Sequence, residues 1–129
     1  MPDLDHAVAR YGESLGLQNL SLGVQGAARL RLKNGAIFGF EAAEDTLIVT
    51  GIFPAPFVRP GQLLDAMRLA NSRVNLWPSP PQIGVKGNGS DAQLVIACRV
   101  EGASPGVADI ARTVEQVQAW FGNWQSQQR

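Results

Sequence analysis

The side chains able to carry covalent or metal chemistry are few. The sequence holds one histidine, His6, and one cysteine, Cys98. A serine or cysteine nucleophile normally needs a histidine base within hydrogen-bond reach. His6 falls on the helix face turned away from an apolar stripe. Cys98 takes an apolar place in an alternating run, where a thiol behaves as a small hydrophobe. One donor of each kind is too few for a common zinc site. We therefore expect no catalytic residue, no metal and no cofactor, and hence no enzyme.

Four other patterns invite a functional reading, and each has a plainer one. Gly87-Asn-Gly89-Ser-Asp-Ala92 matches a loose dinucleotide-binding pattern. That mechanism needs a helix N-terminus aimed at the pyrophosphate, and here a strand follows, so a hairpin turn is expected. Glu41, Glu44 and Asp45 gather at a turn without a second group placed for acid–base work. Arg29, Arg31 and Lys33 alternate along a strand, with Phe38 and Phe40 close by, as on sheet platforms that stack RNA bases. Eleven basic and eleven acidic residues leave no net charge to draw a polyanion in, so a solvated or protein-facing surface is the expectation. Pro78 to Pro81 has PxxP spacing and reads as a stiff linker.

Length and composition set the frame for these residues. At 129 residues and 13.8 kDa the chain makes one domain, 1–129, exposing about 6,600 Å² folded against about 20,000 Å² extended. Such a core needs no disulfide. With 45% hydrophobic and 17% charged residues it is an ordinary globular composition. No stretch approaches the roughly 18 apolar residues of a membrane span, and no leader pattern opens the chain. A cytoplasmic location is expected, with neither membrane insertion nor nucleic acid as partner.

Periodicity supplies the elements. Leu4, Val8, Tyr11 and Leu15 form one stripe, predicting a helix over 3–15 with Gly16 as its stop. Ala28, Leu30 and Leu32 then alternate with the basic residues up to Asn34-Gly35, the residues of a tight hairpin turn. Strands over 36–41 and 46–53 complete a meander. Prolines between Phe53 and Pro60 end it. Pro60 opens a helix over 62–72 whose apolar residues Leu63, Leu64, Ala66, Met67 and Ala70 spread over roughly 160°, wider than the usual stripe. Leu69 falls on its polar side. Strands over 82–86 and 93–100 follow. Ser104 as N-cap and Pro105 at the first position start a third helix, with Val107, Ile110, Val114, Val117, Phe121 and Trp124 as its stripe. Residues 125–129 are expected to fray.

The order α-β-β-β-α-β-β-α, rich in hairpins, predicts an α+β fold on an antiparallel sheet. Its apolar content exceeds what two helices packed on one sheet face hide. Ile37, Ile48, Ile52 and Val95 lie opposite core positions, so either another helix covers the second face or it is a patch that holds another chain in a groove or by strand addition.

At this point the sequence resembles a known family. Gly26-Ala-Ala-Arg-Leu-Arg-Leu, Glu41-Ala-Ala-Glu-Asp-Thr-Leu-Ile-Val, Leu63-Leu-Asp-Ala-Met-Arg-Leu-Ala-Asn71 and Trp120-Phe-Gly-Asn-Trp124 resemble the class I type III secretion chaperones, the Tir-chaperone-like family. The resemblance implies a bacterial cytosolic homodimer around which the N-terminal segment of a secreted effector wraps in extended form. It implies dimer contacts through Leu63, Leu64, Met67 and Leu69. It implies an effector-facing surface on helix one and the open sheet face, with Val8, Tyr11, Ile37 and Ile48 as candidates, and no catalytic residue. The alternative from another class is a sensor or scaffold module of roadblock or profilin type, docking a folded partner or a small ligand.

Overall fold

A computed structural model describes residues 4–71, 77, 79–100 and 105–128. Its elements run α1 (Leu4–Ser14), β1 (Ala27–Arg31), β2 (Ile37–Ala43), β3 (Thr46–Pro54), α2 (Pro60–Ala70), β4 (Gln82–Lys86), β5 (Gln93–Arg99) and α3 (Val107–Gln127), with one 3-10 turn, Gly89–Asp91, before β5. The α+β class and the element order match the expectation. All strand pairs are antiparallel, and the sheet order is β1-β2-β3-β5-β4. The two edges are therefore β1 and β4.

Local chemistry accounts for most boundaries. At the end of α1 the N–H of Leu17 donates to the Gly12 carbonyl and that of Gly16 to Glu13, while Gly16 takes φ +82°. This is the left-handed cap that glycine alone adopts without penalty. Leu15 lies beyond the helix and is 49% exposed, so it leaves the expected stripe, and Ala7 and Gly12 join it instead. The Asn34-Gly35 turn forms as read, with Leu32 N–H donating to the Ala36 carbonyl and Gly35 at φ +89°. Pro60 opens α2, where the Arg59 N–H donates to Gln62 Oε1 at 2.9 Å.

α3 departs from the expectation at both ends. It starts at Val107, and Gly106 is its N-cap, its N–H donating to Asp109 Oδ2 at 2.9 Å. A carboxylate three residues into the helix can satisfy that donor where a proline cannot supply a cap. Ser104 lies outside the described residues. The C-terminal turn continues to Gln127 instead of fraying at 125, held down by Trp124, whose Nε1 donates to the Gln62 carbonyl at 2.8 Å.

One face of the sheet carries the core. Cross-strand partners point to the same side, so Leu30, Phe38, Gly51, Ile96 and Ile83 form one row, and Ala28, Phe40, Val49 and Cys98 the next. The buried cluster takes in residues of all three helices and of this face alone. Over it Phe53 stacks on Phe121 with ring centroids 4.1 Å apart and meets Phe38 and Trp120 edge-on. Trp120 is absent from the expected stripe, yet it is fully buried and donates Nε1 to the Ala66 carbonyl at 3.0 Å, tying α3 to α2.

α3 reaches the sheet at Gly51. A Cβ there would stand 2.7 Å from Val117 Cγ1 and 2.8 Å from Phe53 Cε2, so the helix sits where only a glycine lets it. Gly51→Ala is expected to lower the unfolding free energy by about 2 kcal/mol in a urea titration, the usual scale for an extra methyl forced into a packed core.

Candidate functional site

The residues that might have done chemistry are kept apart. His6 is exposed on α1 and Cys98 is buried in the sheet core. Desolvation pushes the Cys98 thiol up to about 12, so it stays protonated and unreactive at any ordinary pH. Burial, and next the charge of Glu115, raise the Tyr11 hydroxyl. Among the described residues no three His, Cys, Asp or Glu side chains gather as a metal would require. Gly87 and Gly89 have positive φ in a turn that leads into β5, with no long helix behind it. Glu41, Glu44 and Asp45 are exposed around the β2–β3 turn. Arg29 and Arg31 share a face with Gly39, while Phe38 and Phe40 point into the core at 0% and 1% exposure. The sheet itself separates cations from rings, and no stacking platform exists there. Trp77 packs on the core, and Pro78 of the PxxP pattern lies outside the described residues.

What the fold leaves open is the second face of the sheet. The register places Arg31, Ile37, Ile52, Val95 and Gly84 in one row across the strands. Beside it run Arg29, Gly39, Thr50, Ala97 and Gln82, and then Ala27, Glu41, Ile48 and Arg99. None of these residues belongs to the buried cluster. Ile37, Ile48 and Val95 are half-buried and Ile52 is 9% exposed, while Ser79 and Pro80 line a hollow with Ile48, Ala97 and Arg99 at one end of this face. Alternation in the sequence marks Ile52 and Val95 as second-face residues. Only the register shows that they adjoin Ile37 in an apolar strip three strands wide.

Both edges of this sheet are accessible. Ladder bonds at Gly26–Ala42 and Leu32–Ala36 turn the even-numbered residues of β1 toward β2, so the backbone of Ala27, Arg29 and Arg31 points outward. The segment following α1 partly covers that edge. Asp5 accepts hydrogen bonds from the Ser21 hydroxyl at 3.0 Å and the Leu22 N–H at 2.8 Å, and the Leu22 carbonyl takes the Ala27 N–H. A groove of about 280 Å³ remains between Leu17–Leu20 and Arg29–Arg31. At the other edge, β4 lines an open hollow of about 420 Å³ with Ile83, Val85, Val95 and Ala97.

The helix candidates divide. Val8 and Tyr11 are 0% and 5% exposed, packed in the core with Tyr11 against Phe40, so they form no part of a free surface. Their stripe is what fastens α1 to the sheet. On α2 only Ala66 and Ala70 are fully buried. Leu63 is half-buried against the core, and so is Leu69, which corrects its placement on the polar side. Leu64 is 46% exposed and Met67 half-buried one turn away, so these two carry the outward apolar face of the helix. Sequence reasoning missed Phe57, which is 70% exposed at φ +57° in the proline-rich loop.

No family model and no curated protein matches the sequence. Solved structures do. A chain of the HopA1–SchA chaperone–effector complex superposes with a TM-score of 0.68 at 15% identity, covering 94% of this chain and 91% of that one. A chain of the complex between the Yersinia pestis type III secretion chaperone SycH and a stable fragment of YscM2 superposes with a TM-score of 0.66 at 10% identity, covering 95% and 98%. The likeness runs along nearly the whole of each chain and shows a shared fold.

Cys98 offers a test of this packing. In native protein at pH 8 it is expected to react with a disulfide reagent at least about a hundredfold more slowly than in 6 M urea, the thiolate being both scarce and enclosed. Fast native labelling would contradict the buried placement.

Proposed function

We propose that this protein is a homodimeric chaperone that holds the N-terminal segment of a type III secreted effector in extended form. The observation that carries the reading is a sheet face that no helix covers among the described residues, whose strip Ile37, Ile52 and Val95 lies opposite three helices that all pack on the other side. An antiparallel sheet tolerates one solvated face when that face is polar. Here its middle is apolar, as a surface that receives another chain would be. The shared fold with two proteins solved in complexes of chaperone and effector, or chaperone and fragment, supports the same reading.

Extended polypeptide suits such a surface. Main-chain hydrogen bonds at an open strand edge hold backbone of any sequence, and apolar side chains settle on the strip. Binding, without turnover, is the whole activity, and a cytoplasmic site of action follows from a client met before export. Self-association would use the outward face of α2, Leu64 and Met67, with Leu63 and Leu69 at its margins. β4, against which α2 packs, would lie beside that contact.

Co-expression with a candidate effector, followed by limited proteolysis, tests the reading. The expected product is a stable complex in which a stretch of the effector's N-terminus is protected while remaining without its own fold. Protection of a folded domain instead would favour the scaffold alternative. Ile37→Glu and Ile48→Glu are each expected to weaken the complex by at least about tenfold, because a carboxylate must be desolvated against the client. Their thermal unfolding should stay within a few degrees of wild type. In light scattering the wild type should show twice 13.8 kDa, and Met67→Glu should shift it toward the monomer by burying an unpaired charge. A monomeric wild type at micromolar concentration would remove the dimer from the proposal.

A further inference from the structure

β1 presents charge and backbone at the same edge. Arg29 and Arg31 are exposed on the open face two residues apart, and among the described residues neither forms an ion pair. The carboxylate brought nearest by the register, Glu41, pairs with Ala27, one step away along the strand, and makes no contact within 4.0 Å of either guanidinium. Lys33 continues the alternation at the turn. In a chain with no net charge this is a local excess of positive charge, set along a strand in which the outward N–H groups of Arg29 and Arg31 have no partner among the described residues.

The covering segment limits how much of that edge is on offer. The Leu22 carbonyl already takes the Ala27 N–H, leaving the outward N–H groups of Arg29 and Arg31. An added strand would therefore engage a stretch of about three residues, roughly 10 Å long. Its first and third side chains would stand on the open face beside the two guanidiniums. The one between them would point to the opposite side, beside half-buried Leu30 in the groove lined by Leu17 and Leu20.

Resting on the reading that this chain holds an extended partner, we propose that the β1 edge selects a segment in which two acidic residues flank one apolar residue. Charge complementarity chooses the acids, since carboxylates opposite unpaired arginines are favourable and lysines there are repelled. The apolar lining of the groove, Leu17, Leu20 and Leu30, chooses the apolar residue. The two-residue spacing follows from strand geometry: an odd spacing puts one acid on the wrong side of the sheet, and a longer even one carries it past the arginine pair.

The test uses the full chain, 15N-labelled, titrated with two acetylated, amidated nonapeptides, Gly-Ser-Thr-Glu-Val-Glu-Thr-Ser-Gly and the same sequence with both Glu replaced by Gln. The Glu peptide is expected to bind about fivefold or more tightly than the Gln peptide at low salt, two favourable exposed pairs being of that size. The Arg29 and Arg31 amides should shift and exchange more slowly on binding. The preference should disappear in the Arg29→Gln, Arg31→Gln double variant and shrink in 0.5 M salt. Equal affinity for the two peptides, with those amides still responding, would overturn the charge selection and leave edge binding standing. No response of the Arg29 and Arg31 amides to either peptide at millimolar concentration would overturn edge selection altogether. Neither result bears on the open-face variants Ile37→Glu and Ile48→Glu, whose effect on a co-expressed effector is read separately.

Discussion

Phe53 touches three other aromatic rings, stacking on Phe121 and meeting Phe38 and Trp120 edge-on. It joins the central strand to the long C-terminal helix, and through Trp120 and its bond to the Ala66 carbonyl it joins both to α2. The contact depends on Gly51, two residues earlier on the same face, where the missing side chain lets Val117 down onto the sheet. Aromatic contacts of this kind contribute roughly 0.5–1.5 kcal/mol each beyond the area they bury. Their larger effect here is geometric. With α3 seated across β3, and α1 and α2 beside it, every helix is committed to one side of the sheet.

That commitment makes the rest of the surface what it is. Among the described residues the strip Ile37, Ile52 and Val95 has no helix over it, β1 and β4 remain as edges, and α2 turns Leu64 and Met67 outward because its inner face needs only Ala66 and Ala70. Small residues on the inner face allow α2 to lie close to α3, which draws the larger apolar side chains to the margins and the outside. The exposure of the second face is thus a product of where the core is.

Much of this was legible in the sequence. Period-two alternation in β1, β3 and β5 and the Asn34-Gly35 turn fixed strands and meander, and Pro60 marked the start of α2. The surplus of apolar residues on two faces left open, before any register was known, whether a helix or another chain covers the second side. What escaped reading depended on tertiary partners. Leu15 fits the stripe of α1, yet the glycine cap after Ser14 removes it from the helix. Trp120 falls outside the three-and-four stripe, but its indole finds a carbonyl on another helix. Val8 and Tyr11 could not serve both the core and an outer surface, and packing against Phe40 decided the matter. The start of α3 was misjudged because Asp109, inside the helix, does the capping expected from a residue before it.

The three rows of the open face differ in height. Between the strip of Ile37, Ile52 and Val95 and the row holding Glu41, Ile48 and Arg99 lie Gly39, Thr50 and Ala97, all small. They make a shallow furrow running across the strands instead of along them. A polypeptide lying in that furrow would travel nearly at right angles to one hydrogen-bonded alongside β1. Under the proposed reading, a single client using both would have to turn a corner at the rim of the sheet, with a bend between the two stretches of its chain.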